Sequence, residues 1–170
     1  MHTRLLSLLT SMFLLIACIK EDIPENASVV GVGDALPEFS VYTSDSVFVC
    51  RDSLVGRCSV VVFFNTSCAD CRQELPCVDS LYRSLGASTD FRLICIARDE
   101  GRESIERFWN ERGLVMPYSP QRGRDVYNLF ARSIIPRIYV CSKDGVVRFV
   151  YGDSLMPSFV QLQDALNVLL

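Results

Sequence analysis

Histidine is all but absent from this chain, with His2 alone among 170 residues. Tryptophan is as scarce, with Trp109 alone, and no block of like charge stands out at a formal net charge of −3. Each scarcity closes off a class of function. His2 lies in a segment expected to be removed, so the mature protein has no imidazole. That excludes a Ser-His-Asp triad, a Cys-His pair and any histidine-ligated metal site. Dispersed charges, 17 basic against 20 acidic, argue against a nucleic-acid partner. No internal repeat or low-complexity tract occurs. What the chain has in quantity is sulfur, as eight cysteines. A hydrophobic share of 49% is enough to bury the core of one domain, so these cysteines are not needed as staples of a miniature fold. Sulfur is the expected chemical agent.

The N-terminus reads as an address. Arg4 precedes an apolar run from Leu5 to Ile16, interrupted by Ser7, Thr10 and Ser11. The run is short of the about 20 apolar residues a membrane span needs and has the length of a signal-peptide core. It closes on Leu15-Ile16-Ala17-Cys18, which resembles the lipobox of bacterial lipoproteins. The resemblance implies removal of residues 1–17 and lipid attachment at Cys18, with the bilayer as a partner. The alternative is an ordinary secretory signal that leaves Cys18 a stray thiol. Residues 18–32 read as a polar tether, in which Lys20-Glu21-Asp22 is either a charged export tag like that of surface lipoproteins in Bacteroidota or merely a solvated linker. Export places the cysteines where disulfides persist. The expected location is the bacterial cell envelope, with the domain facing the periplasm or the exterior.

Residues 33–170 read as one α/β domain. Glu38–Thr43 and Val47–Cys50 flank Ser44-Asp45-Ser46 as an N-terminal β-hairpin. Ser59–Phe64 is an unbroken apolar run, the pattern of a central strand covered on both faces. From Cys71 to Leu85 apolar residues recur at helical spacing, and Phe91–Ala97 is a second buried strand. Ser104 is a candidate cap for a helix ending at Gly113, and Asp125–Ala131 suggests a short helix. Arg137–Cys141 and Val146–Tyr151 are strands joined by the turn Lys143-Asp144-Gly145, and Pro157–Leu170 closes the chain as a helix. A mixed sheet with a parallel centre and an antiparallel edge hairpin, flanked by helices, accommodates this order.

The chemistry falls between the first central strand and its helix, at Phe63-Phe64-Asn65-Thr66-Ser67-Cys68-Ala69-Asp70-Cys71. A lone CxxC is weak evidence, since it also serves as half a zinc site or as a structural pair. Its position is more telling. A CxxC that ends a buried strand and opens a helix puts the first sulfur where unpaired N–H groups and the helix dipole favour a thiolate. Only the thiolate attacks a disulfide, so Cys68 is the expected nucleophile. Cys71, one turn on, is shielded and placed to resolve the mixed disulfide, and two intervening residues keep the sulfurs within bonding reach.

Four features resemble the TlpA/ResA-type thiol-disulfide oxidoreductases, the membrane-anchored thioredoxin-like proteins of bacterial envelopes. These are the strand-CxxC-helix unit, the continuation Arg72-Gln73-Glu74-Leu75-Pro76, Ile135-Pro136 entering a strand, and the Lys143-Asp144-Gly145 hairpin. The resemblance covers about Gly33 to Leu170 and implies a thioredoxin-like fold without cofactor or metal. It makes Cys68 and Cys71 a redox disulfide and Pro136 a cis-proline that, with Ile135, presents backbone to the substrate. It also makes Glu74 an aid to proton transfer at the buried thiol; the plainer reading of Glu74 is an exposed helix residue paired with Arg72 or a neighbour. Pro76 is expected to kink the helix early. The implied partners are exported protein dithiols and disulfides and a membrane thiol-disulfide electron donor, with a lean toward reduction of clients. Two residues depart from the family: Ser67 replaces the usual tryptophan beside the first cysteine, and Asp70 sits between the cysteines. Trp109 lies far away in sequence.

Of the other cysteines, Cys95 and Cys141 fall in buried strands as small apolar side chains. Cys50 and Cys58 are either bridged or free. Cys77 falls about 240° around the helix from Cys71, off the active face. Zinc on Cys68, Cys71 and Cys77 lacks a fourth ligand. Two other functions compete. A thiol peroxidase of this superfamily needs threonine three residues before its cysteine, where Asn65 stands. A non-enzymatic binding module would keep the CxxC as a structural disulfide.

Overall fold

The computed structural model describes residues 28–85, 87–152 and 156–170. Expectations for residues 1–27, Cys18 among them, lie outside the described residues. The anticipated hairpin is present as β1 (Ser40–Tyr42) and β2 (Phe48–Cys50), paired antiparallel. Its turn passes through Ser46 in the left-handed region, with Thr43 Oγ1 donating to Asp45. A single helical turn, α1 (Arg51–Leu54), follows; at four residues it is too short to show a period.

The main sheet holds five strands in the order β5-β4-β3-β6-β7. All seven residues of the central strand β3 (Cys58–Phe64) are buried, as its continuous apolar sequence demands. The parallel half is formed by β4 (Phe91–Ala97) on β3 and β5 (Tyr118–Ser119) on β4. The antiparallel half, β6 (Arg137–Cys141) and β7 (Val147–Tyr151), begins directly beside β3 rather than only at the edge. Two-residue β5 was not anticipated, because two residues carry no alternation to read.

Helix α2 (Ala69–Leu85) begins two residues before the expected start and runs on through Pro76 as one element. Its buried face includes Cys71, Leu75, Val78 and Leu81. Asp79 is also buried there. Its Oδ1 accepts the backbone N–H groups of Val115 and Met116 at 2.7 and 3.0 Å, and Arg83 donates to Oδ2 at 2.7 Å. A buried carboxylate is tolerable when its lone pairs are filled in this way. Helix α3 (Arg102–Arg112) ends at Gly113 in the left-handed conformation, the expected stop. Its N-cap is Gly101, not Ser104. The Ser104 hydroxyl sits inside the first turn and donates back to Gly101 C=O at 3.2 Å. Helix α4 (Asp125–Phe130) matches expectation. In α5 (Phe159–Asn167), Ser158 and Gln161 form a reciprocal capping box. Residues 28–30, within the segment read as tether, dock on the domain: the N–H groups of Val29 and Val30 donate to Phe130 C=O, and Val30 is buried.

The core lies on both faces of the sheet. Phe63 meets Tyr127, Phe130 and Tyr139 on one face, while Phe64 meets Trp109 on the other. Strand β3 thus ends in a rigid aromatic platform, and the next residues carry the sulfurs.

Candidate active site

Beyond Phe64 the chain turns sharply into α2, and Asn65 organises the turn. Its Oδ1 accepts Ser67 N–H at 2.8 Å and the Ser67 hydroxyl at 2.6 Å, while Nδ2 donates to Arg98 C=O at 3.0 Å. Glu100, from the loop after β4, accepts both the N–H (2.7 Å) and the hydroxyl of Thr66. Cys68 N–H donates to Asn65 C=O, and Cys68 C=O accepts Arg72 N–H at 3.1 Å, the first bond of the helix. Cys68 therefore occupies the N-cap of α2, where the free N–H groups of the first turn surround it. Asp70 in that turn complements the positive helix end.

The two sulfurs are differently placed. Cys68 is half-buried, and its Sγ donates to Ile135 C=O at 3.5 Å. Cys71 is fully buried, and burial pushes its thiol well up. The backbone N–H of Asn65 and, more weakly, the Arg98 charge oppose that rise, whereas a hydrogen bond to Cys68 adds to it. Both are free thiols, as are the other described cysteines, so Cys50 and Cys58 are not bridged.

Glu74 is 5% exposed, which rules out the solvated, Arg72-paired helix residue. Burial raises its carboxyl to about 7, and its Oε1 has no hydrogen-bond partner among the described residues. Its charge bears on Cys77, whose half-buried thiol is raised to about 11, mainly by burial and then by Glu74. Cys95 and Cys141 are buried as expected, with Cys95 against the Met116 sulfur at 3.5 Å. No group of three or more His, Cys, Asp or Glu among the described residues is arranged to hold a metal ion.

Facing Cys68 is the loop before β6. The Ile135–Pro136 bond is cis, as anticipated. Gly152 supports it from behind, because a Cβ there would lie 3.0 Å from Pro136 C=O, and φ at Gly152 is +152°. Ser67 is exposed on the opposite lip. Trp109, distant in sequence, is not distant in space. Its ring packs 5.1 Å from Phe64, and Nε1 donates to Met116 C=O at 3.0 Å. The tryptophan missing beside Cys68 is thus not supplied from elsewhere; Trp109 props the strand from below. Sequence reasoning passed over Glu100, Arg98, Tyr127 and Gly152, and saw Asn65 only as a missing threonine. The glycine closing β7 was the one available signal, since the other contacts join segments far apart in sequence.

A dithiol at a strand–helix junction beside a cis-proline, on a sheet of this order, defines a thioredoxin-like protein. Residues 32–150 match the model of the AhpC/TSA family, and the chain belongs to that family. Among curated proteins it is similar to the thiol-disulfide oxidoreductase ResA of Bacillus anthracis, 24% identical over 123 residues that cover 72% of this chain and 70% of the relative. ResA of Oceanobacillus iheyensis is 21% identical over 141 residues, covering 81% and 73%. Among solved structures, a candidate protein disulfide isomerase from Bacteroides thetaiotaomicron superposes with a TM-score of 0.79 at 25% identity, covering 85% of this chain and 93% of that one. StoA from Bacillus subtilis superposes with a TM-score of 0.63 at 18% identity, covering 78% and 99%. Together with the dithiol, these similarities identify an enzyme of thiol-disulfide oxidoreduction.

Proposed function

We propose that the chain is a lipid-anchored envelope reductase that delivers electrons to disulfides of exported proteins through Cys68 and Cys71. One observation carries the exchange through these two residues: a reachable sulfur at the N-terminus of α2 stands over a second sulfur that is fully buried. The Cys68 thiolate attacks a client disulfide. A bond forms from Cys68 to one client sulfur, and the other leaves as a thiolate and takes up a proton. Cys71 then loses its proton and attacks the Cys68 sulfur. The Cys68–Cys71 disulfide forms and the second client thiolate departs, so two electrons have passed to the client.

Cys71 needs help to ionise, because burial holds its proton on. Glu74 is the proposed acceptor. It lies one turn further along α2, titrates near neutrality and has an unfilled oxygen that a bridging water would satisfy. Ile135, Pro136 and Ser67 form the substrate-facing lips. A membrane thiol donor restores the dithiol, and Cys18 carries the lipid that keeps the domain at the bilayer. Among the described residues no helix is long and apolar enough to cross a membrane. The Asn65 side chain is committed to the loop, so the place of the peroxidase threonine holds a structural residue.

Insulin reduction by the wild type, lost in Cys68→Ser, supports the assignment. The Cys68–Cys71 reduction potential tests its direction. Potentials in this superfamily run from roughly −270 to −120 mV; a value near the reducing end fits a reductase, and one near the oxidising end overturns it. Labelling of the full-length chain with a radioactive fatty acid in a bacterial host, abolished by Cys18→Ala, tests the anchor.

A further inference from the structure

Ile134 has φ +71°, in the left-handed region, which a β-branched residue occupies only when its surroundings hold it there. The holder is visible. The Tyr127 hydroxyl lies 2.5 Å from Ser133 C=O and 2.7 Å from Ile134 C=O, so one O–H serves two successive carbonyls. Those carbonyls belong to the peptide planes on either side of Ile134, and the φ and ψ of that residue alone set their relative orientation. In extended chain successive carbonyls point in opposite directions; here a helical twist, left-handed at Ile134, turns both toward one hydroxyl, which bridges them in that conformation.

Tyr127 is itself fixed. It is buried, its ring meets Phe63 edge-on at 5.4 Å, and the Arg98 and Arg124 guanidiniums lie 5.3 and 5.4 Å from its centroid. Arg124 also donates to Arg132 C=O at 2.7 Å, which ties down the start of the same loop. Immediately after Ile134 comes Ile135, whose carbonyl accepts the Cys68 thiol, and then Pro136.

We infer that Tyr127 is a positioning residue for the exchange reaction: its hydroxyl holds Ile134 in the left-handed conformation and thereby sets the Ile135–Pro136 backbone against the Cys68 sulfur. This rests on the reading of Cys68 as the attacking sulfur. Tyr127 touches neither sulfur nor client; besides the loop its side chain meets Arg98, whose charge bears on Cys71, and recovery by Ile134→Gly separates the two routes.

The test removes the hydroxyl and then removes the need for it. Tyr127→Phe keeps the ring and is expected to lower kcat/KM for insulin reduction about tenfold, the effect of a misplaced contact at the reacting centre. Its Ile135 carbonyl carbon should shift in the NMR spectrum. Glycine adopts positive φ unaided, so Tyr127→Phe combined with Ile134→Gly is expected to recover most of the lost activity and to return the Ile135 signal toward its wild-type position. Two results overturn the inference. One is Tyr127→Phe within twofold of wild type with the Ile135 signal unmoved. The other is a loss that Ile134→Gly leaves unrecovered, which would assign the hydroxyl a role other than holding Ile134. Cys68→Ser tests the underlying reading separately, and the Ile135 signals decide the backbone claim whichever way that result falls.

Discussion

Strand β3 has a thiol at its first residue and another four residues past its last, and the two are held in opposite ways. Cys58 opens the strand fully buried, with its Sγ donating to Leu169 C=O at 2.9 Å and burial raising its thiol. Cys68 follows the strand at a helix N-cap, half-buried, opposite the loop that carries the cis bond. Around Cys58 the backbone is ordinary: its N–H donates to Asp90 C=O at 2.8 Å and the strand continues into a complete ladder, although the neighbouring Ser59 hydroxyl is buried without a hydrogen-bond partner among the described residues. Around Cys68 the fold holds an unfilled Glu74 oxygen and a left-handed isoleucine. The difference lies in placement rather than in sulfur. Among the described residues the one β-branched residue in left-handed backbone lies in the loop facing Cys68, and the rest of the fold supplies the stability that tolerates it.

The comparison is broken most directly by serine at each end. Cys68→Ser should reduce insulin turnover by at least about 10³-fold, whereas Cys58→Ser should leave the folded protein within about twofold of wild type; equal losses would dissolve the distinction. Next in size is Cys71→Ser, expected to cut turnover by about 10²-fold or more because the intramolecular release step is gone. Its mixed disulfide with the client should accumulate at Cys68 and appear as an adduct on a non-reducing gel.

Away from the site, Leu162→Ala in the fully buried face of α5 should cost about 2–5 kcal/mol in urea unfolding. The specific activity of the molecules that remain folded should not change. The smallest effect concerns Glu74. Its carboxyl titrates at about 7 in the fold against an ordinary 4.5, so between those values the unfolded chain ionises first and stability falls as pH rises. Glu74→Gln removes that loss and should be more stable than wild type by about 1–3 kcal/mol at pH 8. The gain should vanish below pH 4.5, as paired urea titrations at the two pH values would show.

Strands β3 and β4 were legible almost to the residue, because strands covered on both faces are written as unbroken apolar runs. Gly113 and the Lys143-Asp144-Gly145 turn were legible because glycine marks left-handed backbone, with φ of +64° at Gly113 and +74° at Gly145. Ser104 misled because Gly101, without a side-chain cap, starts the helix earlier. Helix α1 and strand β5 are shorter than any period. At the site the same division holds. Cys68, Cys71 and Pro136 announce themselves locally, by spacing and by the strand or helix they adjoin. Asn65, Glu100, Tyr127 and Gly152 act on partners that the sheet brings to them.

Residue order alone was enough to place the sulfur pair at the end of an apolar strand and the start of a helix, since both elements are specified by local pattern. It also carried the family resemblance. Folding made the expected shielding of Cys71 complete, raised the Glu74 carboxyl to about 7, and brought Tyr127 under the carbonyls of Ser133 and Ile134. Burial and long-range hydrogen bonds are properties of packed surfaces, and they exist only once β3, α2, α4 and the loop before β6 have come together.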